Sequence, residues 1–218
     1  MKMPSVKKLH LDLSTTRIEN LVDGVFAIAL TILVLNLDID EMISHGREVP
    51  FEEAIVMLWP RLLHYLESFV ILAVFWTKHH QQCHFIRRSD GGMLWINLIA
   101  LFFVSLIPFS TSLVGDYGDR HLAALIFEAN IFAGGIIFWL HWRHASAGKR
   151  LIDKDVGYDV VAFYRRGSYV IPLASVAAMS LTIFSPRVGT MVFLFVPLVF
   201  ALMRLGFSVS PAVRAGRA

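Results

Sequence analysis

The 218-residue chain is predicted to be an all-α integral membrane protein with six transmembrane helices per subunit. Three observations carry that class. Apolar residues make up 56% of the chain and charged residues 17%, and the mean hydropathy is +0.61, outside the range of soluble domains. Windows of about 20 predominantly apolar residues, the length a hydrocarbon core of about 30 Å demands, fall near 19–37, 54–77, 93–114, 122–142, 168–186 and 188–206. The Lys and Arg residues lie between these windows and form no basic patch, which makes them topology signals and argues against nucleic acid as a partner.

The first window follows Arg17 and contains Asp23, an ionisable group that membrane depth makes expensive and therefore functionally suspect. Asn36, Leu37 and Asp38 stand where a leader peptide would need small cleavage-site residues, so the segment reads as a permanent helix. The second window carries Arg61, His64 and Glu67 at helical spacing and ends in WTKHHQQCHF. The third holds Asn97, suited to an interhelical hydrogen bond, and Pro108, which neighbouring helices can accommodate. Val114 to Gly118 superficially resembles a carbonyl selectivity filter, but Asp116 interrupts it and a full-length span precedes it, so it reads as a helix C-terminus.

The fourth window contains Glu128 and Asn130 and ends in HWRH. The fifth and sixth are parted only by residues 185–188, which predicts a tight helical hairpin, and their Pro172 and Pro197 are again tolerable in a membrane. Residues 143–167 form the one connection with room for soluble structure, and no repeat or second domain divides residues 1–218. Trp59, Trp76, Trp95, Trp139 and Trp142 lie near span ends and read as interface anchors.

Sixteen of the twenty Lys and Arg residues fall on one side of this arrangement, which places both termini in the cytoplasm of a multi-pass protein of the cell membrane. Cys83 is the one cysteine, so neither an internal disulfide nor a multi-cysteine metal centre forms within a copy. His79, His80, His84, His141 and His144 distantly resemble the histidine boxes of membrane di-iron enzymes. The remaining four of nine histidines are scattered, so interfacial hydrogen bonds are the better reading, with no enzyme activity and no cofactor expected.

At 100° per residue, Ile28, Thr31, Ile32 and Leu35 fall within a stripe of about 100° on the first helix, flanked by the small residues Gly24 and Ala27. Several copies brought together on that stripe would set aliphatic rings around a ring of hydroxyls. Apolar rings gate by dewetting, and hydroxyls replace part of an ion's hydration shell. The same stripe also suits plain lipid contact. Asp23 lies about 140° from Ile28 and is expected to meet helices of its own subunit, with Arg17, His79, His80 and His84 at the same level completing a network that fixes the helix. Glu67 and Glu128 support a rival reading, a proton-coupled secondary transporter.

Arg17, Leu21, Val22 and Asp23, followed by GVFAIALTILVL, resemble the arginine, three free positions and Phe-Ser-Asp signature of the transmembrane protein 175 family of potassium channels. The likeness extends to Trp76–His80, to Leu94–Leu98, and to Pro108, Phe109 and Thr111. It implies the single six-helix form, a homotetramer whose first helices line a central pore and pass K+ in preference to other cations. Ile28 would then be the hydrophobic constriction, Thr31 the hydroxyl layer where K+ rests transiently, and Leu35 a further apolar ring. No resident metal is implied. Leu21 and Val22 replace the signature's Phe and Ser, which removes one hydroxyl from the surroundings of Asp23.

Overall fold

The computed structural model describes residues 15–37 and 50–208. The N-terminal lysines, most of the first acidic loop, and Arg214 and Arg217 lie outside the described residues. The all-α reading holds. Helix α1 spans Thr15–Ile32 and tightens into a 3-10 turn at Leu33–Asn36; α2 is Phe51–Cys83, α3 Gly91–Asp116 and α4 His121–Ser146. Then come α5 at Tyr158–Gly167, α6 at Val170–Thr182, and α7 at Pro186–Met191, which passes through a 3-10 turn at Val192–Phe195 into α8 at Val196–Ser208. Among the described residues, five rods are long and apolar enough to cross a membrane: Thr15–Asn36, Leu58–Cys83, Gly91–Asp116, His121–Lys149 and Pro186–Phe207.

The fifth sequence window is the exception, and Pro172 is the reason. Its ring has no N–H to offer the Ser168 carbonyl, so the hydrogen-bond ladder is interrupted at Ser168 and Tyr169, where the backbone nonetheless stays right-handed helical. What remains is a 13-residue α6, about 20 Å long, preceded by a separate helix bearing Arg165 and Arg166. Pro197 acts similarly on the Phe193 carbonyl and accounts for the 3-10 turn between α7 and α8. Helix α2 outruns its window at both ends: Glu52 and Glu53 favour its first turn, and nothing in WTKHHQQC stops it.

In lipid, helices gain little from hiding apolar surface and are held by close packing and polar contacts. Here Phe75 of α2 stacks on Phe138 of α4 at a centroid distance of 4.8 Å, and Phe26 of α1 meets the same ring at 6.3 Å. Gly135 lets α4 approach α6, since a Cβ there would sit 3.0 Å from Ile171 Cγ2 and 3.1 Å from Pro172 Cδ. A second cluster closes one end, where Ile86, Met93, Leu151 and Ile152 surround Trp142. Trp142 is therefore not an interface anchor. Residues 147–157 fold back over it through an antiparallel bridge between Ile86 and Ile152, and its indole N–H donates to the Val161 carbonyl at 3.2 Å. Trp59 and Trp95 remain exposed.

Asp90 caps α3 by accepting the Met93 amide at 2.8 Å, and its carboxylate also meets His144 and Arg150, each at 2.9 Å. Burial works to raise its pKa, but the Met93 amide, His144 and Arg150 outweigh that and hold it below the ordinary carboxylate value. A depressed folded-state pKa stabilises the fold above the ordinary carboxylate range, and that contribution disappears as pH falls through the folded value. Asp90→Ala should lower stability by about 1 kcal/mol, the usual worth of a cap. Thermal melting in detergent checks this, and the deficit should shrink in acid.

Candidate functional site

Helix α1 has two faces with different company. Ile18, Val22, Phe26, Ala29 and Leu33, spaced by four, four, three and four, are buried against the chain's own bundle. Ile28 is 59% exposed, Ile32 42% and Leu35 71%, and Thr31 stands among them. The four stripe residues thus share a face that the described residues do not cover. Thr31 donates its hydroxyl hydrogen back to its own helix, with the Ala27 carbonyl at 3.0 Å and the Ile28 carbonyl at 2.9 Å, which leaves its oxygen lone pairs facing outward. A Cβ placed on Gly24 would meet nothing within 4 Å, so that face is also open to close approach. Asn36 ends the stripe by donating to the Pro108 carbonyl at 2.9 Å, tying the end of α1 to α3.

At the other end of α1, the exposed Asp23 accepts a 2.9 Å hydrogen bond from the indole N–H of Trp76 on α2. Its partner is thus the Trp76 indole, and neither Arg17 nor a histidine. Trp76 in turn stacks on His80 at 5.4 Å. His79 points away into the bundle and bonds Asn97 of α3 at 2.9 Å. Arg17 is exposed about one and two-thirds turns before Asp23. A polar pocket of about 410 Å3 opens here, with Glu19, Asn20, Asp23, His79, His80 and Arg87 in its wall. An indole near a span end usually faces the lipid interface, and its pairing with a carboxylate on another helix has no local sequence signal.

The opposite end holds the buried acids. Glu67 meets His64 Nδ1 at 2.9 Å and accepts from the Thr190 hydroxyl at 3.4 Å. Glu128 accepts from the Thr182 hydroxyl at 2.5 Å. Both carboxyls are fully buried. Arg61 pairs across helices with Asp116 at 2.8 Å, and Arg187 pairs with Asp119 at 2.8 Å, so the charges at this end are tied to one another. Asp116 is the last residue of α3, and Tyr117 donates its amide to the Leu113 carbonyl there, so Val114 to Gly118 is a helix end.

A family model described as endosomal/lysosomal potassium channel TMEM175 matches residues 17–108. A potassium channel of Chamaesiphon minutus is 31% identical over 169 residues, 73% of this chain and 83% of that one. A potassium channel of Streptomyces collinus is 31% identical over 144 residues, 64% of this chain and 68% of that one. Among solved structures, the crystal structure of a lysosomal potassium-selective channel TMEM175 homolog from Chamaesiphon minutus matches with a TM-score of 0.73 at 27% identity, covering 86% of this chain and 96% of that one.

Proposed function

This chain belongs to the TMEM175 family, and from that premise we propose that it is a multi-pass, potassium-preferring cation channel of the cell membrane, conducting passively through a pore shared by four copies. The observation that carries the pore is the uncovered face of α1. Ile28, Thr31, Ile32 and Leu35 are turned away from a core that Val22, Phe26 and Leu33 fill, and a copy-to-copy axis is where such a face finds company. Ile28 and Leu35 then form apolar rings that dewet when narrow, and Thr31 supplies oxygens to a partly dehydrated K+. A single hydroxyl ring replaces less of the hydration shell than stacked carbonyls do, so the preference for potassium over sodium is modest. Asp23, held by Trp76, with Arg17, His79 and His80 nearby, sets the angle at which α1 leaves α2. Both termini lie on the cytoplasmic side, where the positive loops gather.

Reconstitution into liposomes tests this reading. Potassium should leave down its gradient without a proton gradient, the rate should not saturate at low ion concentration, and the purified particle should have the mass of four chains. Saturable uptake that needs a proton gradient and is lost in Glu67→Gln or Glu128→Gln would establish the transporter instead. That alternative draws on the buried positions of the two carboxyls.

A further inference from the structure

Where α2, α3 and α4 meet, three potential metal ligands come together, and the described residues supply no complete set of partners for them. One ligand atom each from His79, Cys83 and His141 lies within 4.8 Å of the other two. Cys83 Sγ is 3.6 Å from His79 Nδ1 and 3.7 Å from Nε2. Two thiolate and imidazole ligands on a tetrahedral zinc are separated by about 3.5 Å, given metal–ligand bonds of about 2.3 and 2.0 Å. The two rings lie 4.8 Å apart, centroid to centroid.

The surrounding hydrogen bonds fix the tautomers that a metal requires. The Asn97 amide nitrogen donates to the Met93 carbonyl at 2.9 Å, so its oxygen faces His79 and accepts from Nε2–H. His79 Nδ1 is left with a lone pair. His141 Nδ1–H donates to Gln82 Oε1 at 3.1 Å, which leaves a lone pair on Nε2. That atom is buried and has no hydrogen-bond partner among the described residues. Metal-ligating histidines characteristically give their other N–H to an amide or carboxylate oxygen. A cavity of about 20 Å3 lies between His79, Cys83 and His141, and Ser89, whose Oγ is also buried and unpartnered, lines it too.

We infer that His79, Cys83 and His141 form a site for a borderline-soft divalent metal ion of the zinc class, with the fourth position open to water or to Glu19 from α1. Binding exchanges the thiol proton for a metal–sulfur bond and releases one proton to solvent. The ion ties α2 to α4 beside the pocket that holds Asp23 and His80. It is separate from the permeating ion, and it needs one cysteine only, so the absence of a multi-cysteine centre does not conflict with it.

Co2+ is the probe, added to full-length protein in detergent. The expected result is one Co2+ per chain with a thiolate-to-cobalt charge-transfer band, displaced by Zn2+ and absent in Cys83→Ala and His141→Ala. The exposed His84, changed to alanine, should leave the band intact. Because Cys83 is the one thiol in the chain, Zn2+ should also slow its alkylation in the unaltered protein by roughly tenfold or more. No cobalt–thiolate band, together with an alkylation rate indifferent to Zn2+, would mean that water alone fills the cavity and would overturn the site. Neither readout depends on ion flux, so failure of the channel reading and failure of this one are separable.

Discussion

Replacing Ile28 with asparagine raises the potassium leak of reconstituted liposomes, and Leu35→Asn does the same. Each change puts an amide where an apolar ring would dewet the pore, so water and ions meet a lower barrier. Lowering that barrier by about 1.4 kcal/mol multiplies the rate by ten, and a gain on the order of tenfold is expected for either variant. Both side chains are mostly exposed on the chain, so neither change opens a core cavity and the protein should melt as before. Leu198→Asn on α8 is the matching control: Leu198 is 56% exposed but lies on another helix, and its flux should be unaltered. Unchanged leak in both α1 variants would remove α1 from the pore.

The second large effect is on stability. Gly189 of α7 sits against the end of α6, where a Cβ would run into Thr182 Oγ1 and lie 2.9 Å from both the Ala178 carbonyl and Glu128 Oε1. Gly189→Ala must therefore displace backbone or break the hydrogen bond from Thr182 to Glu128. Overpacking combined with loss of a buried bond to a carboxyl costs roughly 3–5 kcal/mol. Thermal melting in detergent should show a large drop, whereas Gly206→Ala, where nothing lies within 4 Å, should leave the midpoint unchanged or slightly raised. An unchanged midpoint for Gly189→Ala would mean that the α6–α7 turn gives way without cost.

Much of the bundle was legible from hydropathy, because a long apolar run offers the backbone few alternatives to a helix in lipid. The length of the fifth helix was not. Its window contains enough apolar residues, but hydropathy averages over Pro172, and the break it causes depends on a missing amide rather than on polarity. On α1, angular spacing alone separated Ile28, Thr31, Ile32 and Leu35 from the residues that pack inward. The partners of the polar residues were harder to read. Asp23 with Trp76, His79 with Asn97, and His141 with Gln82 join residues far apart in sequence, and which pairs meet depends on helix rotation and depth. Cys83 illustrates the limit: one cysteine carries little information until two histidines from different helices are seen beside it.

The contact between Phe26 and Phe138 also has a consequence for how the protein is made. Helix α1 leaves the ribosome before α4, and the Phe138 ring is synthesised more than a hundred residues after Phe26, a delay of roughly 5–20 s at ordinary elongation rates. Through that interval α1 has α2 and α3 for company, through Trp76 and Pro108, but not the ring of Phe138. The part of the inward face around Phe26 therefore completes its packing only when α4 arrives. Membrane insertion of α1 and its docking are two events separated in time, and variants at Phe26 should insert normally and fail only at the second.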